Sequence, residues 1–460
     1  MEYYDFLFVY EVKNRELDNI LLLKCELERR GYSIKLIETW AQILKQSKPI
    51  NAKVAVTFAL YDESNIRLVL QFAPKVNKIL NLQWEQVFTN GDEATSSTDL
   101  SRSIQGIAKN AVHICWGNNT FDRLTNKFGI NPNNACITGS VTLDFLRNEF
   151  ADYYYSREEV IKQYGINRMQ KIYLFISSFS YTTLPENIVN SSRFQCQGFD
   201  VKAHCRISKD SKKIILDWFK KELELHPEIL IIYRPHPAEI NSAELKEIEN
   251  NYTNFRVINE MSIKQWILIS DKIYTWWSTS IAEVFAAQKG CSILRPIEIP
   301  YSNEVQIYKN ASMIQSFEEF DNSFLLPNIF PIKKEYIENF YFTDLNEPAF
   351  IKICNLLDEM IKNNDYAIDI SQICLPSKMQ KIITKSKISL KKFILNNEYI
   401  YLICKKILKG KKISNGKDIN ELKKEYDYYL EMANKNKIDE SEIREKEKKI
   451  MRIINENYKY

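Results

Sequence analysis

Short apolar runs alternate with longer amphipathic stretches over the first 300 residues of the chain. Residues 5–10 (DFLFVY) have no charged position after Asp5, the pattern of a strand buried on both faces. Residues 17–30 place apolar side chains at helical spacing and stop at Gly31, which predicts a helix with a glycine cap. Further strands are expected at 33–38, 54–59, 79–83, 113–117 and 135–140, with helical stretches such as 119–128 between several of them. The polar segment 151–170 reads as a linker followed by a helix.

A second series then begins. It has strands at 171–177, 229–233, 255–259, 272–276 and 291–294, and helices at 209–225, 262–269 and 278–289, the last capped by Gly290. Alternation of strand and helix predicts βαβ units and parallel sheets. Two series of similar size predict an α/β protein: two Rossmann-like doubly wound parallel-sheet domains facing a cleft, the default place for a ligand. The expected domains are 1–160, 161–345 and a helical, lysine-rich tail at 346–460. Within that tail, 347–364 is helical in pattern. Residues 378–412 hold eleven lysines and one acid, and 417–449 read as a densely charged helix.

Composition narrows the function. Apolar residues make up 45% of the 460, enough for real cores. Lys+Arg is 63 against Asp+Glu 59, a net charge of +4, which argues against a nucleic-acid binder. Glycine numbers only 11, where about 7% is usual. No two glycines lie within five residues of each other, so G-x-G-x-x-G and G-x-x-x-x-G-K-[ST] loops are both missing. Ordinary Rossmann dehydrogenases, P-loop NTPases and kinases with a glycine-rich lid are thereby excluded. Nine scattered cysteines without C-x-x-C, and four histidines, give no zinc spacing and suit a reducing cytoplasm. The acidic start MEYYDFLFVYEVKNRE is unlike a signal peptide, and no run approaches the ~20 apolar residues of a membrane span. A soluble or peripheral cytoplasmic protein is expected.

Two segments carry candidate chemistry. Tyr233-Arg234-Pro235-His236-Pro237-Ala238-Glu239 follows a predicted strand, where open α/β sheets place ligands. Its prolines stiffen the turn, and Arg234 and His236 are suited to donate to phosphate oxygens. Trp276-Trp277-Ser278-Thr279-Ser280-Ile281-Ala282-Glu283 puts three hydroxyls where a strand gives way to a helix, a natural anion site. Ser280-x-x-Glu283 also fits a capping box, so Ser280 is expected to cap while Ser278 and Thr279 face ligand.

These segments, with VINE, ISDK and WWSTSIAEVFAAQKGCSILRP, resemble the carboxyl-terminal nucleotide-binding half of GT-B glycosyltransferases. The narrower resemblance is to bacterial surface-carbohydrate and capsule transferases, including CDP-glycerol glycerophosphotransferases and the Kdo and sialic acid transferases with His-Pro and Ser/Thr motifs. EVKNRELDNILLLKCELERRGYSI is similar to the opening of surface carbohydrate biosynthesis proteins. Thr138-Gly139-Ser140-Val141-Thr142-Leu143-Asp144 is similar to the T-G-x-P-x-x-D segment that ends their first domain, with Val141 in place of proline.

The resemblance implies that Arg234 and His236 contact the donor phosphates, that Ser278, Thr279 and Ser280 bind the same group, and that Glu283 lies near the ribose or the helix start. The acceptor base is expected from the first strand–helix loop, with Glu11 foremost, Glu16 and Asp18 behind it, and Arg15 beside them. Glu85 and Asp92 are further loop acids. No D-x-D pair occurs, which favours Arg, His and N–H groups over a divalent ion at the leaving phosphate. No cofactor is expected. Trp84, Trp116, Trp276 and Trp277 fall at predicted strand ends, most of them as core residues.

The function so implied is transfer of a sugar from a CMP-, UDP- or CDP-linked donor to a hydroxyl of a bacterial surface polysaccharide or lipid-linked glycan, by inverting single displacement. Residues 378–412 would touch an anionic membrane. The alternatives are a CDP-alditol phosphotransferase, a non-catalytic scaffold of polysaccharide assembly, and a sugar-nucleotide epimerase.

Overall fold

The computed structural model describes residues 2–39, 48–83, 85–95, 103–184, 189–190, 198–237, 239, 242–344, 346–373, 393–408, 418–435, 437 and 439–458. The first sheet contains β1 (Tyr3–Tyr10), β2 (Ile34–Glu38), β3 (Asn51–Thr57), β4 (Ile79–Asn81), β5 (Val112–Cys115) and β6 (Ala135–Ile137), in the order β2-β1-β3-β4-β5-β6 with every pair parallel. The second contains β7 (Lys171–Ile176), β8 (Ile229–Arg234), β9 (Phe255–Val257), β10 (Lys272–Thr275), β11 (Ser292–Leu294) and β12 (Met313–Ile314), in the order β12-β11-β10-β7-β8-β9, again all parallel. Of the strands among the described residues, only the two-residue edge strand β12 escapes the sequence reading, since two residues carry no period. Both sheets are doubly wound. Their orders reverse between β1 and β3 and between β7 and β10, the switch points where such sheets take ligands.

The unbroken apolar runs follow from burial on both faces. Phe6, Phe8 and Tyr10 face a core shared with the helix Lys13–Arg29, while Leu7 and Val9 face the core under the helix Glu63–Phe72. In the second sheet Tyr173 and Phe175 meet the long helix Val201–Leu225, and Ile172, Leu174 and Ile176 meet the helix Ile263–Ile269. Each such side chain contributes about 1.5–3 kcal/mol when fully buried.

Loops at the carboxyl edges of the two sheets touch, so these edges are turned toward each other. Thr89 and Val305 form an antiparallel bridge, and the Asn90 amide donates to Glu304 O at 2.9 Å. The chain then returns to the first sheet. The Phe342 amide donates to Trp116 O, and Tyr341 stacks on Trp116 at 5.3 Å. From the segment expected as a tail, the helices Ala349–Lys362 and Glu440–Asn457 both pack on the helix Lys13–Arg29. Lys446 pairs there with Asp18 at 2.7 Å and Lys24 with Glu447 at 2.7 Å. Most of the lysine-rich stretch 378–412 lies outside the described residues, and so does Trp84.

The scarcity of glycine shows at the helix ends. Orphan carbonyls there are met by long cations and amides in place of left-handed caps. Lys78 Nζ donates to Met360 O at 2.8 Å, Lys272 Nζ to Phe324 O at 2.6 Å, Lys289 Nζ to Leu268 O at 2.6 Å and Asn254 Nδ2 to Leu223 O at 3.1 Å. The expected cap at Gly290 is corrected by the structure: the helix is only Ile281–Ala286, and the left-handed residue after it is Gln288 (φ 55°). Gly290 is glycine because a Cβ there would lie 1.9 Å from Asn328 O.

Candidate active site

His236 and the hydroxyls Ser278–Ser280 follow β8 and β10, which flank β7 in the sheet. Strands about 4.8 Å apart put the two ends roughly 10 Å from each other on one carboxyl edge. Consecutive serines at the end of β7 tie them together. Ser178 Oγ accepts the Trp277 amide at 3.0 Å, beside β10, and Ser177 Oγ donates to Glu239 Oε2 at 2.5 Å, beyond β8.

The loop after β8 is built around Glu239. Its carboxylate also accepts from Tyr233 Oη at 2.7 Å, from Lys212 Nζ at 2.7 Å and from the His236 amide at 3.2 Å. The Glu239 amide in turn donates to His236 O at 2.8 Å. His236 itself is exposed. Desolvation of its ring lowers its pKa from the ordinary value, and the Glu239 charge opposes this. Arg234 is committed elsewhere. Its guanidinium donates to the carbonyls of Ile258 at 3.0 Å, Glu260 at 2.8 Å and Met261 at 2.7 Å, which fixes the loop after β9.

Across β7, Thr279 is exposed and Ser278 and Ser280 are half-buried. Ser278 Oγ accepts the Ser280 amide at 3.2 Å, and Tyr308 Oη donates to Ser278 O at 2.7 Å. The capping box expected of Ser280 and Glu283 does not form, because Ser280 sits in helical geometry (φ −63°, ψ −4°) and its side chain makes no cap bond. Burial raises the pKa of Glu283, and Lys264 partly offsets it.

On the facing edge, Glu11 follows β1. Burial raises its pKa, the Glu16 carboxylate adds to the rise, Arg15 opposes it and Glu85 reinforces it. Glu16 is fully buried: its Oε2 accepts the amides of Glu11 at 2.7 Å and Val12 at 3.1 Å, and its Oε1 accepts Arg15 Nη2 at 2.9 Å. Arg15 Nη1 reaches the exposed Glu85 at 3.5 Å. The structure thus joins Glu11, Arg15, Glu16 and Glu85. Asp18 is turned away to Lys446, and Asp92 is buried in the helix Asn90–Thr95, its amide donating to Thr89 Oγ1 at 3.1 Å. Trp276 is buried and Trp277 half-buried.

Sequence reasoning missed Ser177, Ser178, Lys212 and Glu239. One signal was available: Lys212 stands on the face of its helix that also carries His204, Ile215 and Phe219, all buried.

No protein-family model matches the chain, and no curated protein does. Solved structures align with it over most of its length. The wall teichoic acid polymerase TagF is 13% identical over 78% of this chain and 89% of that one, with a TM-score of 0.48. UDP-GlcNAc 2-epimerase from Methanocaldococcus jannaschii is 12% identical over 78% and 100%, with a TM-score of 0.48. UDP-GlcNAc 2-epimerase from Neisseria meningitidis, bound to UDP-GlcNAc, is 10% identical over 85% and 100%, with a TM-score of 0.40. The strand orders, not these alignments, define the architecture.

Proposed function

We propose that the chain is a glycosyltransferase that moves a sugar from a nucleotide-linked donor to a hydroxyl of a bacterial surface glycan, with inversion. The observation that carries the reading is the placing of His236 and the Ser278–Ser280 hydroxyls on one carboxyl edge, either side of the β7/β10 switch point, opposite a loop bearing a carboxyl of raised pKa. His236, Ser278, Thr279 and Ser280 bind the donor phosphates, and Arg234 shapes the neighbouring loop. Glu11 takes the acceptor hydroxyl proton as that oxygen attacks the anomeric carbon. The carbon–oxygen bond to the phosphate breaks, and the nucleotide leaves with the electron pair. A raised pKa suits Glu11 to accept that proton.

Incubation with CMP-, UDP- and CDP-linked sugars and with CDP-glycerol, with nucleotide release as the readout, tests the reading. Release from a sugar donor only with acceptor present supports it. Release from CDP-glycerol alone identifies an alditol phosphotransferase, and donor conversion without acceptor an epimerase. His236→Ala lowers turnover by about 10² or more, as for loss of a transition-state donor; near-normal turnover removes His236 from the mechanism.

Among the described residues no helix is long and apolar enough to cross a membrane. A peripheral contact through 378–412 belongs to the same proposal. The helix Glu398–Ile407 exposes Tyr399, Leu402 and Ile407 beside Lys405 and Lys406, a composition that suits an anionic interface. Lysine-to-glutamine changes across the stretch move the protein from membrane to soluble fractions, and unchanged partitioning refutes the contact.

A further inference from the structure

Among the described residues, three of the four groups that donate to the Glu239 carboxylate belong to the scaffold. Ser177 directly follows β7, Tyr233 lies in β8, and Lys212 projects from the helix Val201–Leu225. The fourth is the amide of His236, in the loop itself. The Glu239 side chain is fully buried and that of Lys212 is 6% exposed, so this is an interior ion pair. An interior pair is weak evidence for stability, because desolvation of two charges offsets their attraction and apolar residues of similar volume often serve as well. Around the pair, Ile207, Ile215, Phe219 and Leu223 pack against Phe175, Ile231 and Tyr233, and the same helix also buries His204, Ser208, Ser211 and Glu222. A charged pair inserted there, one arm of which reaches the loop only at His236, has a geometric consequence. It fixes the backbone from which the imidazole projects, and the reciprocal bond from the Glu239 amide to His236 O fixes it from the other side.

We propose that Glu239, held by Lys212 and Ser177, is a positioning residue for His236. Through the neighbouring Ser178, whose hydroxyl holds the Trp277 amide, the same strand end sets the spacing between His236 and the Ser278–Ser280 hydroxyls. The inference rests on the transferase reading for its kinetic arm only.

The test replaces the pair together, as Lys212→Met with Glu239→Leu, so that no lone charge stays buried. The intact chain is compared with wild type by thermal melting, by steady-state kinetics with the donor that wild type turns over, and by imidazole NMR. Only four histidines are present, and His236→Ala assigns the relevant signal. The expected result is a folded protein whose kcat falls roughly tenfold or more while acceptor KM is unchanged, as misplacement of one group predicts. The His236 signal shifts or broadens, and that of the remote His113 stays. A folded double variant with kcat within about twofold of wild type overturns the proposal. Should the double variant fail to fold, Ser177→Ala is judged by the same two outcomes. Should wild type turn over no donor, the transferase reading falls and the NMR arm decides alone: an unmoved His236 signal then overturns the positioning role, and a moved one supports it.

Discussion

Two loops leave the carboxyl edges of the two sheets, and each is held by a buried carboxylate that accepts the amide of its key residue. Glu16 accepts the amides of Glu11 and Val12, and Glu239 accepts that of His236. What differs is the answer to the charge. Glu239 is met inside the protein by Lys212, 6% exposed, whereas Glu16 is met by Arg15, 44% exposed, which also reaches Glu85. Exposed pairs are screened by salt and worth little, while buried pairs are screened far less. One device thus yields a fixed loop beside the second sheet and an electrostatically adjustable one beside the first.

The largest test of that contrast is Glu16→Ala. It leaves two amides without their acceptor, and a buried unsatisfied group costs about 1–3 kcal/mol, so the loss is about 2–6 kcal/mol. Urea unfolding reads it as a lower midpoint at constant m-value. Glu16→Gln keeps an acceptor and loses less than half as much. A loss under about 1 kcal/mol for the alanine variant means that the loop is held by something else, and the parallel with Glu239 fails.

Asp144 sharpens the comparison, because it holds backbone amides with no salt-bridge partner among the described residues. Its carboxylate accepts the amides of Ala349 at 3.1 Å and Phe350 at 2.7 Å, at the start of the helix that returns to the first sheet. Burial pushes its pKa up to about 7 against the pull of those amides. Folded Asp144 therefore keeps its proton to about pH 7, while an unfolded aspartate releases it near pH 3.9. The folded state binds the extra proton in that window, so stability falls as pH rises across it. Asp144→Asn flattens this slope, and a slope unchanged in that variant refutes the assignment. Asp144→Ala costs about 1–3 kcal/mol at the acid end of the window, and the cost shrinks as pH rises, because wild-type stability falls there and the variant's does not. A cost of the same order follows for Gly139→Ala, about 1–3 kcal/mol, because Gly139 has φ +86° and a Cβ would meet Phe342 O at 2.5 Å. Thermal melts of both variants check this.

The sequence carried the architecture further than it carried the site. Strands such as β1 and β8 are legible because burial on both faces leaves no room for polar residues, and the βαβ grammar then fixes which edge faces the cleft. His236 is legible because proline on either side marks a stiff turn. Its support is not, since Ser177, Lys212 and Glu239 meet only after three elements fold together. Glycine scarcity argued against phosphate loops but hid its structural counterpart, helix ends closed by Lys78, Lys272 and Lys289 from distant segments. The acids of the first loop read alike in one dimension. In three, Glu16 is a brace, Asp18 belongs to the packing of the helix Glu440–Asn457, and Glu11 is left at the end of β1 with no hydrogen bond or ion pair to its carboxyl among the described residues.

The smallest effects separate the two loops most cleanly. Arg15 lowers the Glu11 pKa and Glu85 raises it, so Arg15→Gln moves the acidic limb of the rate profile to higher pH and Glu85→Gln moves it to lower pH. Both movements shrink as salt is added, because Arg15 and Glu85 are substantially exposed. Neither substitution alters the NMR titration of His236, on which the Glu239 charge acts from a buried pair with Lys212 beside the second sheet. Limbs that move in the same direction for both variants, or that ignore salt, would mean that Glu11 is not the group titrating. The adjustable loop would then have to be sought elsewhere on the first sheet's edge.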